Sequence, residues 1–111
     1  MGLNCTHGAW DGSYGWFHSM RTAVAEAAGG GFIDGHEAVF EFDAAFDTGG
    51  LRKFLSHSDC EGEIDPKTCK LVADDLMNIL DKVAGYWRPR VKQFADGCLS
   101  AHERDEPLEF R

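Results

Sequence analysis

His57 and Cys60 pair an imidazole with a thiol in the string 57-HSDCEGEIDPKTC-69, and Asp59, Glu61 and Asp65 are interleaved around them. Zinc takes nitrogen and sulfur ligands in a tetrahedron, and His-x-x-Cys is a workable spacing for two of the four. Cys69 can supply a third. Cys5-x-His7 offers a second short pair if the start of the chain folds over the loop. The same two residues also suggest thiol chemistry, because an imidazolium beside a thiol favours the reactive thiolate. A catalytic thiol, however, needs a third group to orient its base and a stabiliser for the charge that develops. The chain marks neither, and it has no phosphate loop, dinucleotide fingerprint or zinc-protease helix motif. The expectation is therefore a protein that is not an enzyme, with no catalytic residue assigned.

The carboxylates point to a different cation. With Gly62 at the sixth position, the stretch from Leu51 to Leu80 resembles an EF-hand, whose calcium loop places oxygen ligands at alternate positions and turns sharply at a glycine. Asp59 and Glu61 then fall third and fifth, Glu63 offers its carbonyl at the seventh, Ile64 takes the apolar eighth place, and Asp65 is ninth. Two departures argue against calcium. The first position is His57, a nitrogen donor where a hard cation wants oxygen, and the twelfth is Thr68 where a bidentate carboxylate should close the cage. The loop architecture of His57, Asp59, Glu61, Gly62, Ile64, Asp65 and Pro66 reads instead as a pseudo-EF turn. In it the His57 imidazolium would bond the carboxylates an ion would have bridged. Zinc at His57 and Cys60 is the alternative, and no cofactor is required.

The elements around this loop follow from apolar spacing. From Ser13, Phe17, Met20, Val24 and Ala28 form one helical stripe, which Gly29-Gly30-Gly31 ends. Residues 32–50 carry both strand-like alternation (Ala38, Phe40, Phe42) and helical spacing (Val39, Phe42, Phe46), and read as loop with a short helix or strand. Leu51, Phe54 and Leu55 make a short helix before the loop. After it, Asp65 as N-cap and Pro66 at the first helical position open a helix striped by Cys69, Val72, Ala73, Leu76, Leu80 and Val83, with a stop at Gly85. A last helix begins near Pro89 and buries Val91, Phe94, Ala95, Cys98, Leu99 and His102. Gly97 lowers its propensity by about 1 kcal/mol relative to alanine. Residues 1–12 are an N-terminal segment, and 103–111, charged and broken by Pro107, read as an exposed tail. The fold class is mainly α: a single domain over residues 1–111, built as a small helical bundle with an EF-hand-like loop–helix element.

Composition bounds the partners. Nineteen acidic against eleven basic residues give a formal charge of −8, the reverse of what a phosphate-neutralising surface needs, so direct nucleic-acid binding is not expected. No run has the roughly 20 apolar residues of a membrane helix, and no membrane association is expected. Four cysteines without a secretory signal read as reduced thiols. Trp10, Tyr14, Trp16, Tyr86 and Trp87 are candidates for a partner-binding surface, since such aromatics are enriched at binding hot spots. Their competing use is to wedge the N-terminal segment against the helices. Arg88, Arg90 and Lys92 form a basic cluster too small for a nucleic-acid groove.

The central string, with 6-THG-8 near the start, 71-LVADDL-76 and the closing 98-CLSAHERDEPLEF-110, resembles a group of short uncharacterised bacteriophage and bacterial proteins. Those carry an HSDCDGEI-type loop and an NEPLEF-type tail. The likeness covers most of residues 51–110, the first twenty more thinly, and 32–50 least. It implies a bacterial host cytoplasm and brings no activity. The expected function is a small acidic accessory protein that acts by binding a host or phage protein. A zinc-binding or thiol-dependent domain centred on His57 and Cys60 is one alternative, and an acidic mimic of nucleic acid is another. Oligomeric state is not fixed by the sequence.

Overall fold

The computed structural model describes residues 2–33, 39–58 and 61–111, with backbone only at Ile33 and Val39. The protein is mainly α, with four α-helices among the described residues. The first, α1 (Tyr14–Ala27), starts where the Ser13 hydroxyl accepts the Trp16 N–H at 3.1 Å, an N-cap that satisfies an otherwise orphaned donor. Its stripe of Phe17, Met20, Val24 and then Ala28 is fully buried. Gly29, at φ +87°, ends it in the left-handed conformation that glycine adopts without a Cβ penalty.

The described residues of 32–50 include both strand and helical turn. A strand pair, β3 (Gly31–Ile33) and β4 (Val39–Glu41), is antiparallel with Phe32 opposite Phe40, and a 3-10 turn follows at Ala44–Phe46. Ala38, part of the expected alternation, lies outside the described residues.

Helix α2 (Gly50–Ser56) is anchored by carboxylates rather than by its own first turn. Asp75, buried in the middle of the next helix, accepts the Thr48 N–H, the Thr48 hydroxyl and the Leu51 N–H at 2.7–2.9 Å. Asp47 accepts the Gly49 and Arg52 N–H groups. Helix α3 (Pro66–Ile79) begins as expected, with the Asp65 carboxylate accepting the Thr68 N–H and hydroxyl. It ends earlier than Gly85: the chain tightens into a 3-10 turn at Leu80–Lys82, leaving Leu80 half-buried and Val83 buried. Helix α4 (Arg88–Glu103) buries Val91, Phe94, Ala95, Cys98 and Ala101, whereas Leu99, expected inside, is on the exposed side. His102 bonds the Pro66 carbonyl at 3.0 Å, so α3 and α4 are an antiparallel pair.

One expectation is corrected here. Short strands complete the core beside the helices. Strand β1 (Gly2–Cys5) pairs with β2 (Trp10–Ser13), and β5 (Glu63–Ile64) pairs with β6 (Leu108–Glu109). A Cys5–Phe110 bridge and reciprocal Asn4–Arg111 backbone bonds of 3.1 and 2.8 Å join the two pairs. The segment 103–111 is consequently not an exposed tail: Leu108 and Phe110 are buried, while residues 103–106 and Arg111 face water. Their apolar side chains are worth far more inside than a free end would be, at roughly 1.5–3 kcal/mol each. Phe17 is the hub of the core, with the rings of Trp10, Phe54, Phe94 and Phe110 at 5.3–6.1 Å. No helix of the described residues is long and apolar enough to cross a membrane.

Candidate functional site

Helix α2 delivers His57 into extended backbone, φ −69° and ψ 147°, and the ring folds back across the turn it begins. Nδ1 lies 2.7 Å from the Ser58 carbonyl and Nε2 lies 3.2 Å from the Glu63 carbonyl. A neutral imidazole has one N–H and can serve only one of these acceptors, whereas the imidazolium serves both. Gly62 makes room for the ring: it sits at φ +94°, and a Cβ there would be 3.3 Å from His57 Cε1. Phe110 stacks on the imidazole at 4.2 Å and 30°, while its N–H donates to the Gly62 carbonyl at 2.9 Å. The His57 ring thus bonds carbonyls, not the expected carboxylates. Asp65 spends its oxygens on Thr68, and Glu61 is exposed. Thr68 hydrogen-bonding holds the Asp65 carboxyl below its usual 3.8, against a smaller opposing effect of burial.

The described ones among the expected zinc ligands do not converge. Cys60, like Asp59, lies outside the described residues. A His57 nitrogen that donates to a carbonyl has no lone pair for a metal. Cys69 is buried at the start of α3, its Sγ–H directed at the Ile64 carbonyl at 3.4 Å. Burial pushes the Cys5 thiol up to about 12, with the Arg21 charge opposing, and such a thiol is slow to become the thiolate a metal binds. The His7 ring goes elsewhere, to the Thr6 hydroxyl and to the Glu106 carboxylate, each at 2.9 Å. Among the described residues, no group of three histidines, cysteines or acids is arranged to hold a metal ion.

Arg21 is the residue that sequence reasoning missed. It is buried in α1, its guanidinium 4.5 Å over the Phe17 ring, and Nη2 donates to the His57 carbonyl at 2.6 Å. A cavity of about 230 Å³ opens beside it, walled by His18, Phe40, Ser56, His57 and Ser58. The signal was present: Arg21 falls four residues after Phe17 and three before Val24, on the buried stripe, where a charge demands a reason.

The five aromatic candidates divide between the two uses expected of them. Trp10 is core, 1% exposed and edge-on to Phe17, so it is no partner contact in this fold. Tyr14 is half-buried. Trp16 and Tyr86 are 48% and 69% exposed. With the half-buried Trp87 they form an edge-to-face trio, centroids 5.0–6.5 Å apart. The Arg90 guanidinium bridges from the buried Trp10 (5.0 Å) to the exposed Trp16 (5.8 Å), and Nη1 donates to the Asp11 carbonyl. Arg88 fixes the preceding turn through the Val83 and Asp81 carbonyls. Large rings are therefore held rigidly in water. Comparison of the chain with protein-family models, curated proteins and solved structures gave no match.

Proposed function

We propose that the chain is a protein-binding module whose contact surface is the Trp16–Tyr86–Trp87 cluster with Arg88 and Arg90. The observation that carries this is the exposure of two large rings, 48% and 69%, within one ordered aromatic trio. Tryptophan, tyrosine and arginine are the residue types over-represented where alanine scanning finds binding energy, and rings already locked by neighbours lose little entropy when a partner covers them. The two guanidiniums suit carboxylates on the partner, in contrast to the net charge of −8 on the chain as a whole. The likeness to short phage proteins favours a host or phage protein in a bacterial cytoplasm as that partner.

The 57–68 loop serves this module as scaffold, in the manner of an EF-hand turn that has exchanged its ion for a side chain. Gly62 supplies the positive φ of the sixth position, Asp65 caps the following helix from the ninth, and His57 Nε2 faces the seventh-position carbonyl. Strand β6 pairs with the seventh and eighth positions.

Affinity capture from the bacterial host, comparing the wild-type chain with a Trp16→Ala/Tyr86→Ala variant of equal melting temperature, tests the proposal. A partner retained by the former and lost by the latter supports it. Equal retention by both, or no partner above controls, overturns it.

A further inference from the structure

The cavity beside Arg21 joins two kinds of wall. One is aromatic: Phe17 and Phe40 are buried, and the His18 ring is braced by Phe32 at 4.6 Å and Phe40 at 5.5 Å. The other is polar, made of the Arg21 guanidinium with Ser56, His57 and Ser58. Arg21 is only 7% exposed, and two contacts fix it: it lies 4.5 Å over the Phe17 ring, and Nη2 donates to the His57 carbonyl. That carbonyl takes one of the five N–H groups a guanidinium carries. Among the described residues that line the cavity there is no carboxylate, so its walls are positive in a chain of net charge −8. Ser56 and Ser58 are exposed, which leaves a route in from water.

We propose that this cavity binds a small monocyclic aromatic carboxylate, of the size of benzoate. Volume sets the size of the guest. An apolar cavity of about 150 Å³ takes one benzene. This one, at about 230 Å³, has room for a benzene ring and a carboxylate together. The carboxylate meets Arg21, whose planar fork suits two parallel hydrogen bonds to its oxygens. The ring packs on Phe40 and His18, where aromatic faces and edges attract one another. Inorganic phosphate or acetate would satisfy the guanidinium but leave that aromatic wall bare. Burial strengthens the pull of Arg21 on an anion, because charges interact more strongly away from water. The guanidinium is also held in place before the ligand arrives, so binding orders little. Neither Trp16, Tyr86 nor Trp87 lines the cavity, and the site does not depend on the protein-binding reading.

The full isotope-labelled chain is titrated separately with benzoate, benzamide, acetate and inorganic phosphate, and its amide NMR shifts are followed. Benzoate should saturate with a Kd of about 1 mM or lower, moving the amides of His18, Arg21, Phe40 and Ser56 with one affinity. Benzamide keeps the ring without the charge, and acetate keeps the charge without the ring. Each should bind at least about tenfold more weakly than benzoate. Arg21→Lys retains the charge but loses the fork, and should weaken benzoate about tenfold. Five results would each overturn the assignment: no saturable shift at those residues, shifts that cluster elsewhere, benzamide or acetate matching benzoate, phosphate binding as tightly, or a folded Arg21→Lys chain with unchanged affinity. Should Arg21→Lys unfold, the wild-type series of probes alone decides.

Discussion

Gly97 stands in the middle of α4, where alanine would gain about 1 kcal/mol of helix propensity, yet alanine has no place there. A Cβ would lie 2.5 Å from the Ala9 Cβ and 2.7 Å from its Cα. Ala9 is fully buried and offers no flexible side chain to move aside. Gly97→Ala should therefore cost about 2 kcal/mol, overpacking exceeding propensity, as read from urea denaturation. A variant that gains stability would mean that the N-terminal segment is not seated on α4. Gly62 is a different case, requiring a backbone angle of φ +94° as well as room for the His57 ring. Gly62 was legible in the sequence because its requirement is local, a sharp turn between named neighbours. The need for Gly97 comes from a residue near the other end of the chain, so spacing alone presented it as a weakness. Arg21 and the division of Trp10 from Trp16 share that cause: which face of an element is covered depends on what folds back over it.

The helix starts are the elements most open to acid. Asp65 keeps its carboxyl below 3.8 chiefly through the Thr68 hydroxyl. At Asp47 burial pushes the other way, but the Gly49 and Arg52 N–H groups and the Arg52 guanidinium together outweigh it. A carboxyl whose folded value is depressed contributes stability that is fully present above its unfolded value, near ~3.9, and is lost as pH falls through the folded one. The caps of α2 and α3 should thus add constant stability above about pH 5 and lose it progressively below about pH 4. Melting curves across that range check this: Asp65→Asn, which can still cap but cannot titrate, should flatten part of the acid slope. An unchanged slope would remove Asp65 from the account. Helices α1, α3 and α4 were readable because each carries a long apolar stripe and its own caps. Strand β6 was not, since two residues have no period, and it pairs with Glu63 and Ile64 and bonds the Thr6 hydroxyl, all of which sequence order keeps far away.

At the scale of the molecule, the loop, the strands and the helix pair are tied together through side chains and backbone, and the proposed reading of the loop puts a side chain, not a cation, at its centre. Excess chelator, or excess calcium, should leave the melting temperature within about a degree of its starting value, since a ligand that binds only the folded state must shift it. A chelator-induced fall of several degrees, with near-stoichiometric zinc in elemental analysis, would return the metal to His57 and Cys60. An acidic nucleic-acid mimic would lose a basic DNA-binding protein at high salt, whereas a partner held by the aromatic trio should be retained there, weakened only by the screening of its contacts to Arg88 and Arg90. The Asn4–Arg111 pairing has a consequence for how the chain comes into being. The outer edge of β1 stays unpaired until residues 110–111 arrive, so during synthesis the nascent polypeptide remains incompletely folded until those residues have left the ribosome. Phe17 and Phe94 lack the Phe110 ring throughout that interval, and chaperones would meet the chain then.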